Sequence, residues 1–285
     1  MKICGFRIAL LSVLIFNGLR TDSACSGSEP VRAELLADVK AICPGQSFHL
    51  GVRLKIQPEC HIYWINAGDA GLPTEVKFTV PKDFKVGPLQ YPLPIRFLQP
   101  GDIVGYGYSD EVLLIAQVQP PRDLAIGSKA SLTAVVSWLV CKKQCIPGSV
   151  KLEISLPMAE KTDLDNAKLF QSWSKQLPLD PNSAQYPHVD IVGTLLDENV
   201  VGTFRVQVKW TQSPKTVQCF PASVEGLRVE NLQWLSKKRR TEITFTARRL
   251  QGHKLKTKHL RLLAVAIQVN GRRVGVWVEV PLRKN

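Results

Sequence analysis

Long hydrophobic runs are scarce in this chain. Beyond its first twenty residues no stretch reaches the roughly 18 consecutive apolar positions of a membrane-spanning helix, the best being Leu260 to Val269. That predicts a soluble mature protein. Acidic residues are also in short supply, 24 Asp+Glu against 37 Lys+Arg, and there are only seven cysteines. No Ser/His/Asp set, phosphate-binding glycine loop or paired-carboxylate site is recognisable, so nothing supports those hydrolytic or phosphoryl-transfer chemistries, and no cofactor is implied.

The N-terminus reads as an export signal. Lys2 and Arg7 precede an apolar run from Ile8 to Leu19, followed by small residues around Ser23-Ala24, the layout of a secretory signal peptide over residues 1–25. Cys25 resembles a lipoprotein acceptor, but Asp22 fits neither that motif nor a clean cleavage site. Export makes nucleic acid an improbable partner despite a formal charge of +13. The surplus is uneven: residues 31–158 carry 13 Lys+Arg against 11 Asp+Glu, residues 183–285 carry 18 against 7. Clusters such as Lys237-Lys238-Arg239-Arg240 and Arg248-Arg249 are read as solvated loops of a basic exported protein.

The periodicity is that of strands, and 285 residues suggest about two domains. Phe48, Leu50, Val52, Leu54 and Ile56 alternate with polar or small residues, as do Val76, Phe78 and Val80; Val112 to Val118 is more continuously apolar. Turn clusters, Ala67 to Gly71 and the proline-spaced Pro88 to Pro100, lie between them. The fold expected is all-β, two β-sandwiches with the first immunoglobulin-like, over residues 30–158 and 183–285. Within the linker, residues 159–182, Thr162 to Leu177 changes to a helical period with Leu164, Ala167, Phe170, Trp173 and Leu177 on one face and Thr162 or Asp163 as N-cap. In the second sandwich, Phe204 to Trp210 and Ile243 to Ala247 alternate. Val269-Asn270-Gly271-Arg272 suggests a type I′ hairpin.

The chemistry concentrates in Trp138-Leu139-Val140-Cys141-Lys142-Lys143-Gln144-Cys145-Ile146-Pro147. Two cysteines three residues apart, flanked by strand patterns, sit on the two sides of a tight hairpin. Opposed residues there lie within disulfide reach. A ring this small stabilises a fold by only about 2 kcal/mol, and Lys142 and Lys143 favour a thiolate, so exchange chemistry is favoured over bracing. Cys145, next to Ile146-Pro147, is read as the more confined sulfur. Cys43, Cys60 and Cys219 have no partner at diagnostic spacing.

Cys60-His61-Ile62-Tyr63-Trp64-Ile65-Asn66-Ala67-Gly68-Asp69-Ala70-Gly71-Leu72-Pro73, then Gln90-Tyr91-Pro92 through Arg96-Phe97, then Tyr106-Gly107-Tyr108 and the Trp138 to Pro147 motif, resembles the N-terminal periplasmic domain of the thiol:disulfide interchange proteins DsbD and, more closely, ScsB. The resemblance covers residues 30 to 158. It implies that Cys141 and Cys145 receive electrons from a membrane-embedded thiol reductase and pass them to oxidised periplasmic thiol proteins. It also implies an aromatic cap over the pair, here about Phe97 to Ser109. Gly105 stands where the family has its cap phenylalanine, which leaves Phe97, Tyr106 or Tyr108 to do the shielding. Asp102, Asp110 and Glu111 near that cap are candidates for tuning a thiol. No membrane-spanning or thioredoxin-like portion is recognised, so the resemblance implies a stand-alone relay. Two other readings stay open: a copper or zinc site built from Cys60, His61, Cys141 and Cys145, and a non-catalytic module with a bracing disulfide.

Overall fold

The computed structural model describes residues 29–194, 200–253 and 257–282. The predicted signal segment, with Cys4 and Cys25, lies outside them. Ten strands build the first sandwich: β1 (Val31–Ala37), β2 (Phe48–Ile56), β3 (His61–Gly68), β4 (Glu75–Thr79), β5 (Lys85–Val86), β6 (Ile95–Gln99), β7 (Ile103–Tyr108), β8 (Glu111–Gln119), β9 (Lys129–Cys141) and β10 (Cys145–Pro157). One sheet runs β1-β2-β8-β5; the other runs β10-β9-β3-β7-β6, with β4 on β9. Alternation on β2 sends Leu50, Val52 and Leu54 into the core at zero exposure, because successive side chains of a strand point to opposite faces. The segment from Pro88 to Pro100, expected as turn, contains β6. Its prolines stop at Pro94 and return at Pro100, leaving Ile95–Gln99 free to pair with β7.

Strand β8 is buried on both faces, which explains its unbroken apolar run. Val112 and Leu114 face the sandwich core, whereas Leu113 and Ile115 pack under Phe170 of the helix α1 (Ala167–Ser174). The helix is shorter than its periodicity suggests. Its N-cap is Asn166, not Thr162 or Asp163, because the preceding residues are held extended by Lys40 N–H donating to Asp163 O (3.0 Å) and Asp165 N–H to Asp38 O (2.8 Å). Thr162 Oγ1 instead accepts from Ala41 N–H (2.9 Å), and Leu164, outside the helix, is 69% exposed.

The second sandwich comprises β11 (His188–Thr194), β12 (Val200–Lys209), β13 (Thr216–Pro221), β14 (Leu227–Lys237), β15 (Arg240–Arg249), β16 (His259–Ile267) and β17 (Arg273–Pro281), in sheets β11-β12-β15-β14 and β13-β16-β17. Its own core takes Phe204, Val206, Ile243, Phe245, Leu262, Ala264 and Val278. The alternate residues Phe220, Leu263 and Val265 join the core of the first sandwich, with Trp277 packed against them. The sheet β13-β16-β17 is thus apolar on both faces, which accounts for the run that begins at Leu260. Its β16–β17 connection is a five-residue loop closed by Gln268 N–H to Arg272 O (2.8 Å), with Gly271 at φ 80°. A type I′ turn needs two central residues at positive φ; here only the glycine has one, so the hairpin is of the wider kind.

Candidate functional site

The chain reverses between β9 and β10 through Lys142-Lys143-Gln144, and the register places Cys141 opposite Cys145 with Cα atoms 4.1 Å apart. The two sulfurs are bonded. Strand β10 is an edge, which is why Pro147 is tolerated within it. The two cysteines differ sharply in environment: Cys141 is 3% exposed, whereas Cys145 lies on the exposed tip. This reverses the expectation that Cys145 is the confined one. Ile146 and Pro147 point outward on an edge strand, and Ile146 is itself exposed.

What covers Cys141 comes from strands far away in sequence. Tyr63, Ala67 and Cys141 form a small buried cluster with Phe97 and Leu139 packed on it. His61 pairs with Cys141 in the ladder between β3 and β9, so alternation puts His61 and Tyr63 on one face of β3. The Phe97 ring lies 4.0 Å from His61 and 6.0 Å from Tyr63, centroid to centroid. Gln99 Nε2 lies 2.9 Å from His61 Nε2 and donates to the Tyr63 hydroxyl (2.6 Å), whose O–H donates to Cys141 Sγ (3.3 Å). A polar relay therefore runs from the end of β6 to the covered sulfur. Burial lowers the His61 pKa from its ordinary value and so favours the neutral imidazole beside these rings.

Of the three aromatic cap candidates, Phe97 is the one against the pair. Gly105 is the reason it fits: a Cβ there would meet the ring at 2.2 Å. Tyr106 points to the other face of β7 and packs against Phe220 at 5.1 Å. Tyr108 is buried and donates to Pro92 O (2.8 Å). Neither tyrosine shields the cysteines. Asp102 occupies the β6–β7 turn at φ 60°, and Asp110 the β7–β8 turn at φ 62°; Glu111 pairs with Arg53 at 2.7 Å. Lys142 is drawn to Glu59 (2.6 Å), each shifting the other toward its charged form, and Lys143 is exposed.

Cys43, Cys60 and Cys219 are free and buried, and burial pushes the Cys219 thiol far up. Among the described residues no group of three or more His, Cys, Asp or Glu side chains is placed to hold a metal ion. That removes the geometry the Cys60/His61/Cys141/Cys145 reading required. Nothing in the local sequence pattern points to Tyr63 or Gln99. Tyr63 lies in the Cys60 to Pro73 motif, but only the register, linking residues 78 positions apart, brings it to Cys141.

The hydrogen bond from Tyr63 carries a prediction. It favours a thiolate on Cys141 and hence the reduced pair, and a hydrogen bond to a charged group contributes about 1.5 kcal/mol or more. Tyr63→Phe is expected to lower the reduction potential of the pair by about 30 mV, the two-electron equivalent, measured by equilibration with glutathione. An unchanged potential would mean that the hydroxyl does not stabilise the thiolate.

Residues 29–157 match the family described as the N-terminal part of the thiol:disulfide interchange protein DsbD. Among solved structures, the N-terminal periplasmic domain of ScsB from Proteus mirabilis is similar over 90% of this chain and 96% of that one, with 14% identity and a TM-score of 0.64. A protein of unknown function from Porphyromonas gingivalis W83 aligns over 89% of this chain and 100% of its own at 12% identity, with a TM-score of 0.24. No curated protein matches the chain.

Proposed function

Because residues 29–157 form a DsbD/ScsB-like N-terminal domain, we propose that this protein is a thiol:disulfide oxidoreductase of the periplasm. It relays electrons from a membrane-embedded thiol reductase to oxidised periplasmic thiol proteins through Cys141 and Cys145. Among the described residues no helix is long and apolar enough to cross a membrane. The observation that carries the reading is the asymmetry of the pair, one cysteine on an exposed hairpin tip and its bonded mate under Phe97 and Tyr63.

Exchange proceeds by attack of a thiolate on one sulfur of a disulfide. The donor's thiolate attacks Cys145 Sγ; the Cys141–Cys145 bond breaks and Cys141 departs as a thiolate, accepting the Tyr63 hydroxyl hydrogen bond. The donor's second thiolate then attacks its own sulfur in the mixed disulfide and releases Cys145. Two electrons have moved, leaving the donor as a disulfide and this pair as a dithiol. Delivery runs in reverse order: Cys145 attacks the target disulfide, and Cys141 resolves the adduct by re-forming the bond to Cys145. The Phe97 cap keeps adventitious thiols from Cys141 while the pair is idle, leaving Cys145 as the point of attack.

The reading is tested by the potential of the wild-type pair. A relay has to open and close within the range of its partners, so a value above about −300 mV is expected, since structural bridges typically lie below it. A bond that stays oxidised in equilibrium with reduced glutathione would assign the hairpin to bracing.

A further inference from the structure

The second sandwich touches the first at the elements that carry the cap. Alternation divides β7 between two tasks: Gly105 lies beneath Phe97 on one face, while its neighbour Tyr106 packs on Phe220 at 5.1 Å on the other. Strand β3 is divided likewise. His61 and Tyr63 meet the cap, whereas Trp64 stacks on Trp277 (5.7 Å, planes 15° apart) and meets Phe220 edge-on at 6.1 Å. The end of β3 is tied down as well: Asn66 Nδ2 donates to Pro221 O (2.8 Å), and Ser223 Oγ donates to Ile65 O (3.3 Å). The third grip is on the cap strand itself. Leu93 and Pro94 lead directly into β6, and the Arg273 guanidinium donates to both of their carbonyls, Nη1 to Leu93 O at 3.0 Å and Nη2 to Pro94 O. Leu93 lies on the backbone of Gly275, where a Cβ would meet its side chain at 2.2 Å.

We propose that the second sandwich is a clamp that sets the closed position of the Phe97 cap, with Arg273 as its positioning residue. The proposal rests on the reading of Cys141–Cys145 as an exchange site and gives its regulation a physical source. A guanidinium presents several donors in a fixed planar fork, so one side chain can fix two successive carbonyls and thereby the direction in which β6 leaves Pro94. Phe97 stands three residues beyond Pro94 and Gln99 five, and these two side chains meet His61 and Tyr63 over the pair. A partner that loosens the contact between sandwiches would free the cap; one that leaves it intact would find Cys141 covered and only Cys145 within reach.

The test is a double-mutant cycle in the full chain, read as the rate at which dithiothreitol reduces the Cys141–Cys145 bond. Phe97→Ala, which uncovers Cys141 and so opens the second sulfur to attack, is expected to be reduced at least about tenfold faster than wild type. Arg273→Ala is expected to be faster by about tenfold, the scale of losing charge-assisted hydrogen bonds. Arg273→Lys keeps the charge without the fork and is expected between wild type and Arg273→Ala. If both residues act through one closed cap, the double variant reduces no faster than Phe97→Ala alone. Wild-type rates for both Arg273 variants beside a fast Phe97→Ala would overturn the clamp and leave the exchange site standing. So would effects of Phe97→Ala and Arg273→Ala that simply multiply. A wild-type rate for Phe97→Ala would instead remove the cap from the proposed function. Circular dichroism melts accompany the rates; should Arg273→Ala fail to fold, Arg273→Lys combined with Phe97→Ala completes the same cycle.

Discussion

Cys141→Ala is expected to accumulate a mixed disulfide between Cys145 and a thiol partner, whereas Cys145→Ala is expected to accumulate little or none; either change abolishes turnover. The asymmetry follows from burial. Cys145 sits on the exposed tip of the hairpin, while Cys141 is 3% exposed beneath Tyr63, Ala67 and Phe97. In-line attack on a sulfur needs an open approach, and only Cys145 offers one in the closed state. Once Cys141 is gone no exposed cysteine remains among the described residues to resolve the adduct, because Cys43, Cys60 and Cys219 are all buried. The measurement is trapping in cells followed by non-reducing electrophoresis and mass spectrometry. Equal adducts from both variants would show that the cap does not discriminate between the sulfurs, and adducts from neither would remove the exchange reading.

Gly105→Val is expected to displace the cap without touching a cysteine. A Cβ at this position would stand 2.2 Å from Phe97 Cε2 and 2.5 Å from Cζ, far inside contact distance, so the ring must move. The cost comes from lost space and not from backbone conformation, since Gly105 is not among the residues at positive φ. Forcing extra volume into a packed site costs roughly 1–3 kcal/mol, which should appear as a lower melting temperature. With Phe97 displaced, reduction of the pair by a small thiol should accelerate to the rate of Phe97→Ala. A melting point and a reduction rate both at wild-type values would mean that the strand pair β6–β7 shifts as a unit to absorb the group, and that the cap does not depend on this glycine.

Several elements were readable from local pattern. The strand Phe48–Ile56 follows from strict alternation, and the Cys141–Cys145 hairpin from two cysteines between strand-forming runs. The choice of Phe97 over Tyr106 and Tyr108 was not readable. All three are aromatic residues near the same turn, and which one meets the cysteines depends on the faces of β6 and β7 that the register exposes. The helix misled at its start for a related reason. Leu164 fits the helical stripe, but backbone hydrogen bonds from Lys40 and to Asp38 hold its segment extended, and tertiary contacts override local propensity.

The all-β character, the position of the cysteine pair at a bend and the likeness to DsbD and ScsB could be read residue by residue, because strand periodicity, turn residues and short motifs are properties of neighbours along the chain. It took the folded chain to reveal that Cys145 is the exposed member, that Tyr63 and Phe97 cover Cys141, and that Arg273 holds the segment leading into the cap. Those contacts join residues 78 positions apart in one case and 180 in another. They are fixed by strand register and by which faces of two sandwiches meet, and neither leaves a mark on the local pattern.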